Sequence, residues 1–131
     1  MQKQTKTLLI REVASTKDRE RFIDFPYQLY KGNPYWIPPM RRAERTFFDP
    51  DKNPAFSVCK VQLWIAEKNG RVAGRIAGII NELETRHRGE VVARFGWLEF
   101  EDDAEVSRLL LETACQWARQ QGAKWIKGPV G

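Results

Sequence analysis

The segment Lys68-Asn69-Gly70-Arg71 constrains the fold more than any other, because Asn-Gly supplies the two positive φ angles that a type I′ turn requires. Apolar runs flank it on both sides, Val58–Glu67 and Val72–Glu82, so the reading is a tight β-hairpin. Gly74 and Gly78 interrupt the second arm, where glycine marks a bulge or the close approach of another backbone. A polar connector, Glu84 to Gly89, leads to a third apolar run, Val91 to Glu99, with Gly96 as its bend. The three strands read as an antiparallel meander over Val58–Glu101.

Beyond the meander the period changes. Val106, Leu109, Leu110, Thr113, Ala114, Trp117 and Ala118 recur at helical spacing, which predicts an amphipathic helix over Glu105–Gln121. Asp102 or Asp103 caps its start and Gly122 its end. Lys124–Lys127 is then a short strand, stopped by Gly128-Pro129, and a right-handed crossover makes it parallel to the third strand of the meander. Before the hairpin, Lys6 to Val13 reads as a strand, and Ser15 or Thr16 caps a helix carrying Phe22, Ile23 and Phe25. Pro26 interrupts its hydrogen-bond ladder, so that the helix kinks there or a second one restarts. Lys31-Gly32-Asn33-Pro34 ends the helical stretch, Tyr35–Pro39 is extended, and Met40–Phe48 is a short basic helix before the turn-rich Asp49–Pro54. The fold class is α/β with a mixed, α+β-type sheet, in one domain over residues 1–131.

Composition narrows the function classes. A hydrophobic share of 42% with 30% charged residues is that of a globular chain, and no apolar run approaches the ~20 residues of a membrane span. The amino terminus leads into a strand rather than a signal-peptide core, so the expected compartment is the cytoplasm, with no membrane partner. Cys59 and Cys115 lack a CxxC or Cys/His cluster and read as reduced structural thiols, and no metal constellation is present. The net charge of +5 is spread over scattered arginines without a nucleic-acid motif, and Arg41–Arg45 is the one basic surface that could serve nucleic acid. His87, the single histidine, sits in the polar connector and reads as an exposed loop residue.

The order strand, helices, three-stranded meander, helix, strand resembles the GNAT N-acetyltransferase superfamily up to its fifth strand. Its local words are Phe22-Ile-Asp-Phe-Pro-Tyr27, Leu29-Tyr-Lys-Gly-Asn-Pro-Tyr-Trp-Ile-Pro-Pro39, Gly74-Arg-Ile-Ala-Gly-Ile-Ile-Asn81, Phe95-Gly-Trp97 and Gly128-Pro-Val-Gly131. These are similar to a bacterial branch of GNAT-like proteins grouped as predicted acetyltransferases. The resemblance implies a GNAT-like acyl-CoA N-acyltransferase fold, incomplete at its C-terminus. It implies acetyl-CoA or another acyl-CoA as donor, and a small-molecule amine as acceptor.

Carried onto this chain, the fourth strand offers backbone groups of Leu98 and Phe100 to the donor's pantetheine arm, and Glu99 is the general base that takes the amine's proton. The helix start adds Ser107 and Arg108 on the donor side. Tyr27, Tyr30, Tyr35 and Trp36, with Arg41 and Arg42 nearby, bound the acceptor, and their plainer role is to close the core under a long connector. For Glu99 the plainer role is an outward-facing strand residue alternating with Trp97 and Glu101.

The phosphate loop departs from the pattern. Asp102 stands where a basic or amide residue belongs and Glu105 where the first glycine belongs, so Glu101, Asp102, Asp103 and Glu105 crowd a site meant for pyrophosphate. A helix dipole is worth only about 0.3–1 kcal/mol near an exposed terminus, and acidic N-capping is the plainer role of this turn. A fifth strand without the family's further helix and strands presents an open sheet edge, which predicts a truncated form or a homodimer through that edge. A non-catalytic GNAT-like module for a small ligand or a protein is the competing expectation.

Overall fold

The computed structural model describes residues 7–130, so Lys6, expected to open the first strand, and Gly131 lie outside the described residues. Strand β1 (Leu8–Glu12) leads into helix α1 (Thr16–Leu29), and after an extended segment comes α2 (Arg41–Phe47). A 3₁₀ turn (Pro54–Ser57) precedes β2 (Cys59–Lys68) and β3 (Arg71–Asn81), followed by α3 (Glu82–Arg88) and β4 (Ala93–Phe100). Helix α4 (Ala104–Gln120) and β5 (Ile126–Val130) complete the described elements. The sheet runs β1-β2-β3-β4-β5, antiparallel except for the parallel pair β4–β5.

The hairpin turn forms as its residues dictate, with φ of 53° at Asn69 and 82° at Gly70. Apolar cores form on both faces of the sheet. Val106, Leu110 and Ala114 of α4 pack on Trp64, Ala66, Ala73 and Ile76, whereas Phe22, Ile23 and Phe48 pack on Leu63, Ile65 and Ala77 on the opposite face. Burying side chains of this size contributes about 1.5–3 kcal/mol each. Gly74 and Gly78 make room for helix α4, since a Cβ at Gly74 would strike Val106 and Leu110 and one at Gly78 would strike Trp117, and Gly74 also adjoins a bulge of the ladder, where Ala66 pairs with Gly74 and Glu67 with Val72. Gly96 admits the neighbouring strand, since a Cβ there would run into the Val130 carbonyl oxygen.

Three expectations are corrected. Helix α1 runs through Pro26 to Leu29 as one helix, so no second helix restarts there. Proline removes the N–H that Phe22's carbonyl would accept from, and the buried Arg75 of β3 replaces it, its Nη1 donating to that oxygen at 3.0 Å. The connector at Glu84–Gly89 belongs to α3, which has no apolar stripe and is held by its ends. The Asn81 side chain accepts from the Leu83 and Glu84 amides, acidic residues fill the first turn, basic residues the last, and Gly89 closes it at φ 71°. The last strand starts at Ile126 and runs through Gly128 and Pro129 to Val130. Proline is tolerated there because β5 is an edge strand of the described sheet.

Candidate functional site

Arg75 stands in the middle of the apolar run Val72–Ile80 and is 3% exposed. Its guanidinium lies 4.9 Å from the centre of the Phe22 ring, and its Nη2 donates to Glu99 Oε1 at 2.6 Å. A buried guanidinium costs several kcal/mol in desolvation unless it is paired and hydrogen-bonded, and the Phe22 carbonyl and the Glu99 carboxylate supply that compensation. Its Nε is left without a partner.

Glu99 is therefore turned toward Arg75 and half-buried. A β-bulge sets it inward: Arg75 pairs with Glu99 and Ala77 with Gly96, so β4 spends one residue more than β3 over this stretch. Trp97, at φ 50°, takes up the irregularity in left-handed backbone, a conformation costing about 1–2 kcal/mol for a residue with a side chain. The bulge also changes parity. Phe95 packs with the α4 core, yet Trp97, two residues on, packs with Phe22 and Phe48 on the other face.

The aromatic residues divide. Tyr27 on α1 and Tyr30, which caps its end, meet Trp36, with ring centres 5.4 and 5.2 Å apart, and Arg41 covers the Tyr27 ring at 3.9 Å. The Tyr27 hydroxyl donates to the Pro39 carbonyl, fixing the extended segment to the helix. Burial and a hydrogen bond with the Glu99 carboxylate push the Tyr30 phenol up to about 12. Tyr35 is apart from this group, 91% exposed. Glu44 of α2 joins it electrostatically: burial pushes its carboxyl above the usual range, Arg75 opposes the shift and Glu99 adds to it. Tyr30, Glu99, Arg75 and Glu44 thus share one face of the sheet. Arg75 and Glu44 were not singled out from the sequence, although an arginine inside a strand of Val, Ala, Gly and Ile is a signal that a partner must exist.

The donor-side residues are placed as follows. Leu98 packs with the α4 core and Phe100 is partly exposed at the strand's end. Strand β5 pairs with Ala93–Gly96 only, so among the described residues the β4 edge from Trp97 to Phe100 has no strand beside it on that side. That open edge fits a thioester arm that hydrogen-bonds like a strand. The start of α4 does not fit a diphosphate. Asp103 caps it, its Oδ1 accepting from the Glu105 amide at 3.0 Å and its carbonyl from the Val106 and Ser107 amides. Lys68 donates to Asp103 at 2.8 Å and Arg71 to Glu101, so the hairpin's cations are engaged with the acidic turn. Ser107 Oγ donates to the Ala104 carbonyl, and Arg108 bonds Glu105 and Glu112 along the helix.

Beside Trp97 lies a cavity of about 100 Å³ between α2, the 3₁₀ turn and the sheet, walled by apolar side chains. Phe47 and Phe48 stack against the Trp97 ring at 5.4 and 5.6 Å. Among the described residues no group of His, Cys, Asp and Glu is arranged to hold a metal ion, and no helix is long and apolar enough to cross a membrane.

No family model matches the chain. It is 36% identical over 121 residues to Protein YghO of Escherichia coli (strain K12), covering 92% of this chain and 31% of that protein. It is 33% identical over 118 residues to the Bacterial ceramide synthase of Caulobacter vibrioides (strain NA1000 / CB15N), covering 89% of this chain and 31% of that one. The chain thus spans about a third of the length of these curated relatives. Among solved structures it is similar to the aminoglycoside N-acetyltransferase AAC(6')-Iy in complex with CoA, with a TM-score of 0.68 at 16% identity, over 100% of this chain and 82% of that one. The chain has the mixed α/β fold of GNAT acetyltransferases.

Proposed function

We propose that this chain is the part of an acyl-CoA-dependent N-acyltransferase that holds the donor thioester and deprotonates the acceptor, a small-molecule amine. One observation carries the reading: Glu99, gripped by Arg75 and next to Tyr30, stands beside the bulge on the only stretch of β4 whose outer edge lacks a strand among the described residues. The CoA bound in the aminoglycoside acetyltransferase and the synthase name of the Caulobacter relative support it.

In this reading the peptide groups of Leu98 and Phe100 align the thioester arm, and Ser107 and Arg108 flank it on α4. The acyl-CoA supplies an activated carbonyl. The amine nitrogen bonds to that carbon as the carbon–sulfur bond breaks, the nitrogen's proton passes to the Glu99 carboxylate, and the departing thiolate takes a proton from water. Arg75 orients Glu99 through a buried contact that a substrate does not disturb. Tyr27, Tyr30 and Trp36 form the acceptor's aromatic wall, and the exposed Tyr35 lies at its entrance. The diphosphate is held elsewhere than at the α4 terminus, whose amides Asp103 occupies. We place the reaction in the cytoplasm, where Cys59 and Cys115 stay free thiols.

The test is calorimetry with acetyl-CoA and CoA, combined with thiol release in the presence of a panel of amines. Micromolar binding, with release lost in Glu99→Gln but binding kept, is the expected result. Absence of binding at millimolar ligand would overturn the reading for this chain. The second reading, a non-catalytic module, is favoured by the occupied amides of α4. It predicts CoA binding at most, with no amine-dependent release in any variant.

A further inference from the structure

We infer that the apolar cavity beside Trp97 receives the hydrocarbon chain of the acyl donor, so that the group transferred is a fatty acyl chain. This rests on the acyltransferase reading above. Phe48, Val61, Leu63, Ala77, Ile79 and Trp97 form the wall on the side of the sheet and α2. The one polar side chain turned to it, Asn53, is already engaged, its amide donating to the Phe47 carbonyl and its oxygen accepting from the Ala55 amide. Water inside would find almost no partner, so the space is dry. A dry hole weakens a fold unless something apolar fills it.

The cavity is not sealed from outside. Phe47, Asn53 and Ala55 also line an open groove of about 560 Å³ between α2 and the 3₁₀ turn, which gives a chain longer than the cavity somewhere to continue. At the inner end stands Trp97, directly before the strand edge Leu98–Phe100 and on the same face as Glu99. A thioester lying on that edge sets its acyl carbons beside the Trp97 ring. Acetyl would leave the space behind it empty, whereas methylenes would fill it. The left-handed backbone of Trp97 is then strain held at the residue that shapes the junction between thioester and chain.

Titration of the chain with CoA, acetyl-CoA, octanoyl-CoA, dodecanoyl-CoA and free dodecanoate tests this. Dodecanoyl-CoA is expected to bind about tenfold or more tighter than acetyl-CoA, since each buried methylene adds affinity. It is also expected to slow iodoacetamide alkylation of Cys59, which lines the cavity, several-fold, with Cys115 on α4 as the internal control. Ala77→Leu fills the cavity and should reduce dodecanoyl-CoA to the affinity of acetyl-CoA while leaving acetyl-CoA unchanged. Val61→Phe, at a half-buried position, is the second variant should Ala77→Leu not fold, and the same result is expected. Equal affinity for every acyl-CoA overturns the inference and leaves the acyltransferase reading intact. A long-chain preference that survives both substitutions also overturns it. Protection of Cys59 by dodecanoate without binding of any CoA compound supports the cavity as a chain site and removes CoA as the donor.

Discussion

Pro26 and Arg75 are each unfavourable where they stand, a proline inside a helix and a charge inside a sheet, and each answers the other's deficit through the Phe22 carbonyl. Arg75→Met would leave that carbonyl without its donor and the Glu99 carboxylate without its cation, and we expect a loss of roughly 2–4 kcal/mol in urea denaturation. Pro26→Ala restores an N–H that can reach the same oxygen. It should therefore be more favourable in the Arg75→Met background than in the parent, with a coupling of about 1 kcal/mol in a double-mutant cycle. A cycle with no coupling would show that the carbonyl is not the link. Glu99 and Tyr30 were singled out in the sequence by a strand position and an aromatic word that carry the resemblance, and the structure sets them side by side. Glu44 was not, because its role depends on a cross-face field that no local pattern encodes, and Arg75 was visible only as a charge of unknown partner.

At the scale of elements, the parts that encode themselves locally were the legible ones. Asn69-Gly70 dictates its turn and the stripe from Val106 to Ala118 dictates α4, each through a period or a φ sign carried by the residues themselves. Helix α3 escaped the apolar period because it is specified by caps. Asn81→Ala should accordingly cost about 1 kcal/mol and melt α3 alone, read as lost amide protection over Glu82–Arg88. Strand β5 was misplaced because Gly128-Pro129 reads as a stop locally, while its pairing with β4 is long-range. That pairing relies on Gly96. Gly96→Ala is expected to drive the Val130 carbonyl off β4, so amide exchange at Ile126, Lys127 and Val130 should accelerate while the β2–β3 hairpin stays protected. Unchanged protection at those amides would show that β5 can shift without detaching.

The molecule divides its labour between the faces of its sheet: α4 and its apolar core secure one face, and the group of Arg75, Glu99, Tyr30 and Glu44 lies on the other, under α1 and α2. The alkaline limb of stability is thereby tied to the site. In the unfolded chain Tyr30 ionises near the usual tyrosine value of roughly 10, whereas in the folded chain burial and Glu99 hold its phenol up to about 12. A group with a raised folded value contributes stability that is complete below the unfolded value and lost as pH rises through the folded one. The contribution of Tyr30 is therefore full below about pH 10 and fades toward pH 12. Tyr30→Phe should flatten this part of the thermal stability profile relative to the parent. In an ultraviolet titration of phenolate absorbance it should also remove the step at about pH 12. Because Tyr30 bridges α1 to β4 through Glu99, its ionisation places a second negative charge against that carboxylate. The α1 face should then loosen first, and quenching of Trp97 by added iodide should rise before that of Trp117, which packs on Trp64 in the opposite core. Simultaneous exposure of both tryptophans would mean that the two faces unfold as one unit, and that the charge at the site acts on the whole sheet at once.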